Sequence, residues 1–131
     1  MDRRTFLIAA AATTIAPAAA RASFRDYTPG AIQSALASGQ TVFVDYSATW
    51  CSTCARQERV ITALRQQNPA YDRAMTFIKV DWDTYKNHEV TTSRNIPRRS
   101  TLLVLKGNAE LGRIVAGTGE AQIKALLDAG L

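Results

Sequence analysis

Two cysteines, Cys51 and Cys54, are the only ones in the chain, and their C-x-x-C spacing is typical of dithiol redox sites. They follow a run of strand-forming residues, 41–46, and so lie where a strand passes into a helix. If that helix begins near Ser52, free backbone N–H groups and the positive end of the helix dipole favour the Cys51 thiolate. Cys54 comes one turn later on the same side, close enough for a disulfide. Cys51 is therefore predicted to attack a substrate disulfide, and Cys54 to resolve the mixed disulfide.

The same cysteine pair has two alternative interpretations. A purely structural disulfide of this short span contributes about 1.9 kcal/mol through loop entropy, compared with about 3 kcal/mol for a fifteen-residue loop. Half of a metal site would need further ligands, because structural zinc takes four. The sequence has no second C-x-x-C, and its only histidine, His88, lies on a different predicted element. The spacing therefore favours redox chemistry over both alternatives.

Asp45 is the next candidate for chemistry. Side chains alternate along a strand, so Phe43 and Asp45 point to one side of the 41–46 strand. With helices on both faces of the sheet, the Asp45 carboxylate is expected to be partly buried, and lost solvation raises the pKa of such a group. It can then accept the proton of Cys54 during resolution. The alternative is a carboxylate satisfied by backbone donors at the strand end.

The hydrophobic pattern predicts how these residues are positioned. Two strands separated by a helix should pair in parallel, whereas a turn at Gly107-Asn108 makes the last two strands an antiparallel hairpin. Thr118 is expected to cap the last helix. The result is an α/β fold with a central mixed β-sheet flanked by helices. Strands are predicted over 41–46, 75–82, 101–106 and 111–116, and helices over 29–37, 52–67, 83 or 84 to 94, and 120–129.

Residues 1–22 have the composition of a targeting segment. Paired arginines precede an uncharged apolar run over 6–16, and Ala20-Arg21-Ala22 offers an A-x-A cleavage pattern. The run is shorter than the roughly 20 residues of a membrane span, although a retained N-terminal anchor is the alternative. Arg3-Arg4-Thr5-Phe6-Leu7 also resembles the twin-arginine signal. The sequence thus predicts a signal peptide over 1–22, a domain over 23–131 and a periplasmic location, where disulfides persist.

The charge balance gives no sign of a nucleic-acid partner. Residues 1–22 carry three arginines and one aspartate, so the formal net charge falls from +5 for the full chain to +3 for residues 23–131. The remaining basic residues are scattered, apart from the pair Arg98-Arg99. A stripe of lysine and arginine, the usual footprint of a nucleic-acid surface, is therefore not predicted.

Several motifs, in order and at near-family spacing, resemble the thioredoxin family. The segment Val44-Asp45-Tyr46-Ser47-Ala48-Thr49-Trp50-Cys51 is similar to the family's V-D-F-x-A-x-W-C, and Ile78-Lys79-Val80-Asp81 is similar to the strand after its active-site helix. Residues 101–108 resemble its final hairpin. The resemblance covers about residues 28–131 and implies a thioredoxin-like fold. The exported setting is more similar to periplasmic thioredoxin-like reductases, such as the C-terminal domain of DsbD, than to cytosolic thioredoxins.

The resemblance also implies roles for particular residues. Cys51 would be the nucleophile, Cys54 the resolving cysteine and Asp45 the buried proton-transfer carboxylate. Trp50 would shape the surface around the sulfur, with an ordinary packing aromatic as the alternative. The implied substrate groove comprises Trp50, Ser52, Thr53, Arg99, Ser100 and Thr101.

The implied function is that of an exported thiol:disulfide oxidoreductase that reduces protein disulfides without an organic cofactor. It would receive electrons from a membrane disulfide-reducing protein. The alternative is a metal-handling module that binds Cu(I) or an iron–sulfur cluster through the same cysteines.

Three departures from the family pattern, and the arginine next to one of them, carry specific expectations. Ser52-Thr53 replaces the usual Gly-Pro between the cysteines, which alters the expected redox potential. Phe77 replaces a buried lysine, so Asp45 is expected to lack its counter-charge. Ser100 aligns with the family's cis-proline, and a cis bond before a non-proline costs about 2.5–4 kcal/mol, so a trans Arg99–Ser100 bond is expected. Arg99 is expected near the sulfurs, where it favours the Cys51 thiolate and an acidic partner surface, or alternatively in solvent.

Overall fold

A five-stranded mixed sheet forms the centre of the computed structural model, which describes residues 23–131. The predicted signal segment, 1–22, lies outside the described residues. The strand order is β1-β3-β2-β4-β5, with β1, β3 and β2 parallel and with β4 antiparallel to both β2 and β5. The strands are β1 (Arg25–Asp26), β2 (Thr41–Ser47), β3 (Met75–Asp81), β4 (Thr101–Lys106) and β5 (Ala109–Val115).

Helices connect the parallel strands and complete the chain. The longest, α2, follows β2 directly and carries the cysteines at its start. Within residues 23–131, none of the helices is both long and apolar enough to cross a membrane. The helices are α1 (Ala31–Ala37), α2 (Ser52–Gln67), α3 (Ala70–Ala74), α4 (Trp82–Tyr85), α5 (Glu89–Thr92) and α6 (Glu120–Asp128).

The central strand β2 is buried along its whole length and divides two apolar clusters. Val42, Val44 and Tyr46 pack into one cluster, and Phe43 packs into the other, as the alternation of side chains along a strand requires. Phe43 is joined there by apolar side chains of α2 and α6. Asp45 follows Phe43 by two residues and so enters the sheet face covered by α2. The predicted α/β fold with a mixed sheet flanked by helices is confirmed.

Three details differ from the sequence prediction. The single helix expected up to residue 94 is two short helices, because the His88 side chain accepts a hydrogen bond from the Val90 N–H and starts a new helix after a break. Gly119, rather than Thr118, is the N-cap of α6, and no side chain caps that helix. Strand β1 and helix α3 were not predicted, because elements of two and five residues are too short to show a period.

Candidate active site

Cys51 and Cys54 lie at the N-terminus of α2 and form a disulfide, with their Cα atoms 5.2 Å apart. Cys51 is the N-cap residue, in an extended backbone conformation, and its sulfur accepts a hydrogen bond from the Cys54 N–H at 3.1 Å. Both cysteines are almost fully buried. In the reduced protein this backbone donor and the helix dipole stabilise negative charge on the Cys51 sulfur.

The loop before β4 places Ser100 against both sulfurs. The Ser100 Oγ lies 3.2 Å from the Cys51 Sγ and 3.0 Å from the Cys54 Sγ. The Arg99–Ser100 bond is trans, as expected, and Ser100 has a φ of 65°, in the left-handed region that non-glycine residues seldom occupy. Its N–H donates to the Tyr46 carbonyl at 2.7 Å, which ties the loop to the end of β2.

Gln57 is a site residue that the sequence prediction missed. Its side chain is fully buried, and its Nε2 donates to the carbonyls of Ser100 and Gly117, each at 2.9 Å. Gln57 therefore joins α2 to the loop that faces the cysteines. The available signal was a polar residue one turn after Cys54, on the same inward side of the helix as Ile61 and Leu64.

Asp45 is fully buried, and neither of its carboxylate oxygens has a hydrogen-bond partner among residues 23–131. Loss of solvation raises the pKa of Asp45 to about 7, while the Lys79 charge lowers this pKa and the Glu58 charge raises it. The backbone donors that would have satisfied the carboxylate in the alternative interpretation are not present. A carboxyl that titrates near neutrality is suited to accept and return a proton.

Asp45 lacks the buried lysine of the family pattern, as expected, but the charge of a different lysine acts on it. Phe77 does occupy the position of the family's lysine, but Lys79 is the register partner of Asp45 on the neighbouring strand. The Lys79 Nζ is 2.9 Å from Glu58 Oε1 on α2, so its charge is shared with another carboxylate. The positive charge beside Asp45 therefore comes from a residue two positions later on β3, and Glu58 partly neutralises it. Desolvation remains the largest influence on the Asp45 pKa.

A cavity of about 480 Å³ opens beside Cys51. Its wall includes Glu58 and Lys79, the two charged residues that act on Asp45. Asp26 and Asp81 add further negative charge to the same wall. The cavity therefore opens to the two charged groups that act on Asp45, whereas the Asp45 side chain itself does not line it.

Trp50 lies on the surface next to the disulfide, with 59% of its area exposed. Its Nε1 donates to Asp83 Oδ2 at 2.8 Å, and the Arg99 guanidinium carbon lies 4.4 Å from the centre of its ring. Such exposure favours a surface role for Trp50 over ordinary core packing. Arg99 is half-buried, so it is not a freely solvated loop arginine, and Trp50 links it to the cysteine region.

The other predicted groove residues differ in their access to a partner. Ser52 is exposed and Thr53 is half-buried at the start of α2. Thr101 is fully buried, and its Oγ1 donates to the Arg98 carbonyl at 2.7 Å. Thr101 therefore shapes the loop from inside. Within residues 23–131, no group of three or more histidine, cysteine, aspartate or glutamate side chains is arranged to hold a metal ion.

Comparison with known proteins gives a consistent result. The family model described as Thioredoxin matches residues 25–129. Thioredoxin-2 of Saccharomyces cerevisiae is 37% identical over 92 residues, which cover 70% of this chain and 82% of the relative. Thioredoxin-1 of the same yeast is 31% identical over 102 residues, 78% of this chain and 92% of the relative. The crystal structure of Trxlp from Edwardsiella tarda EIB202 superposes with a TM-score of 0.68 and 33% identity, covering 79% of this chain and 98% of that one.

Proposed function

The chain belongs to the thioredoxin family, and on that basis we propose that it is an exported thiol:disulfide oxidoreductase that reduces protein disulfides. Thiol–disulfide exchange through a C-x-x-C pair follows from family membership and from the Cys51–Cys54 disulfide. We propose in addition that electrons flow from the cysteine pair to the substrate, that the substrate is a protein disulfide, and that the compartment is the periplasm.

The main chemical support for this proposal is the hydrogen bond between the Cys54 N–H and the Cys51 sulfur. The Cys51 sulfur accepts the Cys54 N–H at the start of α2, so the arrangement that stabilises a thiolate is built into the helix terminus. A thiolate is the species that attacks a disulfide. Asp45, with its raised pKa, is the proposed acceptor of the Cys54 proton when the mixed disulfide is resolved. The site residues supply both steps without an organic cofactor.

The surface around the cysteines supports a protein substrate. Trp50 offers a broad exposed aromatic face, and Arg99 stacks on it with its positive charge. An aromatic face suits an extended peptide segment, and the guanidinium favours carboxylates in that segment. We therefore assign substrates whose disulfide lies beside acidic residues.

The proposed location rests on the sequence of residues 1–22. A twin-arginine-like pair, a short apolar run and an A-x-A pattern direct the chain to the periplasm, with cleavage after Ala22. A reductase in that oxidising compartment needs a steady supply of electrons. A membrane disulfide-reducing protein is the proposed donor.

The reduction potential of the Cys51/Cys54 pair tests the proposed direction. Equilibration against a glutathione series should give a value near −270 mV, the range of reducing thioredoxins. A value near −120 mV, the range of strong oxidants, would reverse the direction and favour oxidative folding. Metal analysis of anaerobically purified protein belongs with it, because a stoichiometric metal that is lost in Cys51→Ser would support metal handling.

Cell fractionation tests the proposed location. The protein should appear in the periplasmic fraction with Ser23 as its first residue. Replacing Arg3 and Arg4 together by lysine should retain it in the cytoplasm if the twin-arginine route is used. Export that survives this change would point to the general secretory route, and a cytoplasmic wild-type protein would contradict the proposed location.

A further inference from the structure

We propose that the Ser100 hydroxyl is a catalytic group that donates one hydrogen bond to whichever of the two active-site sulfurs carries negative charge, and that Gln57 holds it in position. This inference rests on the proposed dithiol function. It assigns Ser100 a chemical role beyond that of a residue lining the substrate groove.

The hydroxyl proton of Ser100 has two possible acceptors, the sulfurs of Cys51 and Cys54. The Ser100 Oγ is within 3.2 Å of the Cys51 Sγ and 3.0 Å of the Cys54 Sγ, and a disulfide has no proton to offer. The hydroxyl is therefore the donor in the oxidised protein. A hydroxyl proton rotates freely about the Cβ–Oγ bond, so it can turn from one sulfur to the other without movement of the backbone.

The backbone of Ser100 is held in an unfavourable conformation by surrounding contacts. A φ of 65° is disfavoured for serine, and such conformations persist only where neighbouring groups fix them. Three hydrogen bonds do so here: the Ser100 N–H donates to the Tyr46 carbonyl, while the Ser100 carbonyl accepts from the Ala116 N–H and from the Gln57 Nε2. These contacts fix the direction of the Ser100 Cα–Cβ bond, and the hydroxyl at its end lies within hydrogen-bond distance of both sulfurs.

Gln57 is the positioning residue in this arrangement. Both of its amide hydrogens face carbonyl oxygens, those of Ser100 and Gly117, so the reverse orientation of the amide would oppose oxygen to oxygen. Its own Oε1 is buried without a partner in the part of the chain that the structure describes. The side chain thus leaves one acceptor unsatisfied while it anchors the loop, which sets it apart from an ordinary packing residue.

The proposed role fits each step of the exchange. The Cys51 thiolate attacks a substrate disulfide, so a bond forms between Cys51 Sγ and one substrate sulfur while the other leaves as a thiolate. Cys54 then loses its proton to Asp45 and attacks Cys51 Sγ, which releases the second substrate sulfur as a thiolate. Two electrons pass from the cysteine pair to the substrate disulfide. Ser100 keeps its proton throughout and donates first to the Cys51 thiolate and then to the Cys54 thiolate.

The test measures the Cys51 pKa in the reduced full chain by ultraviolet thiolate absorbance, for the wild type, Ser100→Ala and Ser100→Gly. Both variants lack the hydroxyl, but glycine accepts a positive φ and alanine does not. A hydrogen bond to a charged sulfur corresponds to a rise in the Cys51 pKa of about one unit when it is lost. Ser93→Ala, an exposed serine on another helix end, is the matched control and should leave this pKa unchanged.

A similar rise in both variants supports the inference. A rise in Ser100→Ala alone would assign the effect to the backbone and overturn it, as would an unchanged pKa in both. At a pH below the wild-type Cys51 pKa, the rate of attack on a model disulfide should fall about threefold, because lower thiolate content is partly offset by higher nucleophilicity. At a pH above the Cys51 pKa of every variant, where reduced Cys51 is a thiolate, the reduction potential of the pair should become more negative by about 30 mV, the equivalent of a tenfold change for two electrons.

Gln57→Met tests the positioning role, since methionine is similar in length and has no N–H donor. It should raise the Cys51 pKa in the wild-type background and have no further effect on this pKa in Ser100→Gly. Equal effects in the two backgrounds would show that Gln57 acts independently of the hydroxyl. Failure of the wild type to reduce any protein disulfide would refute the proposed function, whereas an unchanged pKa in an active Ser100→Gly protein would refute this inference alone.

Discussion

Asp45 on β2 lies directly beside Lys79 on β3, because the two are register partners in the parallel pairing of these strands. Lys79 forms its ion pair with Glu58 of α2 and not with Asp45. Asp45 is therefore a buried carboxyl beside a pair of opposite charges, and none of the described residues donates a hydrogen bond to it. Burial dominates, and its pKa is raised to about 7.

The first prediction concerns the pH dependence of stability. Because the folded pKa of Asp45 lies above its ordinary value of 3.8, the folded chain keeps a proton that the unfolded chain releases between the two values. The free energy of unfolding should therefore fall as the pH rises from about 4 to about 8, by up to about 4 kcal/mol. Urea unfolding of the wild type and of Asp45→Asn across this range measures the effect.

Asp45→Asn should remove most of this dependence, so that the variant is the more stable protein above neutral pH. Glu120→Gln is a suitable comparison, because that carboxyl is exposed in the first turn of α6. Parallel stability curves for the wild type and Asp45→Asn would contradict the raised pKa.

The second prediction separates the two charges beside Asp45. Glu58→Gln removes a negative charge and should lower the Asp45 pKa, whereas Lys79→Met removes a positive charge and should raise it. Carbon-13 NMR titration of the Asp45 carboxyl in each variant measures both shifts. Shifts in the same direction would contradict the opposite electrostatic effects of the two charges.

The third prediction concerns Arg99 and substrate charge. Arg99→Glu should raise the Cys51 pKa and slow the reduction of disulfide peptides with acidic flanking residues relative to those with basic ones. Arg98→Glu is the matched control, because its neighbour Arg99 is the one that stacks on Trp50. Second-order rate constants for the reduction of acidic and basic disulfide peptides, measured in low salt, test this prediction. Equal responses in the two variants would leave only a general charge effect.

The fourth prediction concerns a buried ion pair that supports α2. Arg65 is only 6% exposed, pairs with Asp72 and has its guanidinium carbon 3.7 Å from the centre of the Phe77 ring. Arg65→Met should lower the free energy of unfolding by about 3 kcal/mol, because it leaves the Asp72 carboxylate without its buried partner. Thermal and urea unfolding measure the loss.

Lys124→Met breaks an exposed pair with Asp128 and provides the control for Arg65→Met. Its effect should be too small to measure, since solvent screens surface ion pairs. Equal losses in the two variants would mean that burial does not set the strength of the Arg65 pair.

The fold was predictable because its strands carry strong local signals. The apolar run of β2 and the turn at Gly107-Asn108 marked the central strand and the final hairpin, and both were observed. The break between α4 and α5 was missed, because a histidine that caps a helix through its Nδ1 looks like any other polar residue in sequence. Capping by a side chain depends on local geometry that composition does not reveal.

The sequence predicted only those parts of the candidate site that depend on residue type and spacing. Two cysteines at C-x-x-C spacing and an aspartate on the preceding strand were visible without a structure. The contacts of Gln57 and Ser100 were not, because their partners lie more than forty positions away and are backbone carbonyls and sulfurs. The position of Lys79 beside Asp45 also required the strand register, which the sequence does not specify to within two residues.

Trapping of the mixed disulfide tests the central claim most directly. In Cys54→Ser the nucleophile has no resolving partner, so a disulfide-bonded substrate protein should remain attached to Cys51 and should be released by dithiothreitol. Cys51→Ser should trap nothing above background. Trapping by Cys51→Ser in place of Cys54→Ser, or by neither variant, would contradict the assignment of Cys51 as the nucleophile of a thiol–disulfide exchange.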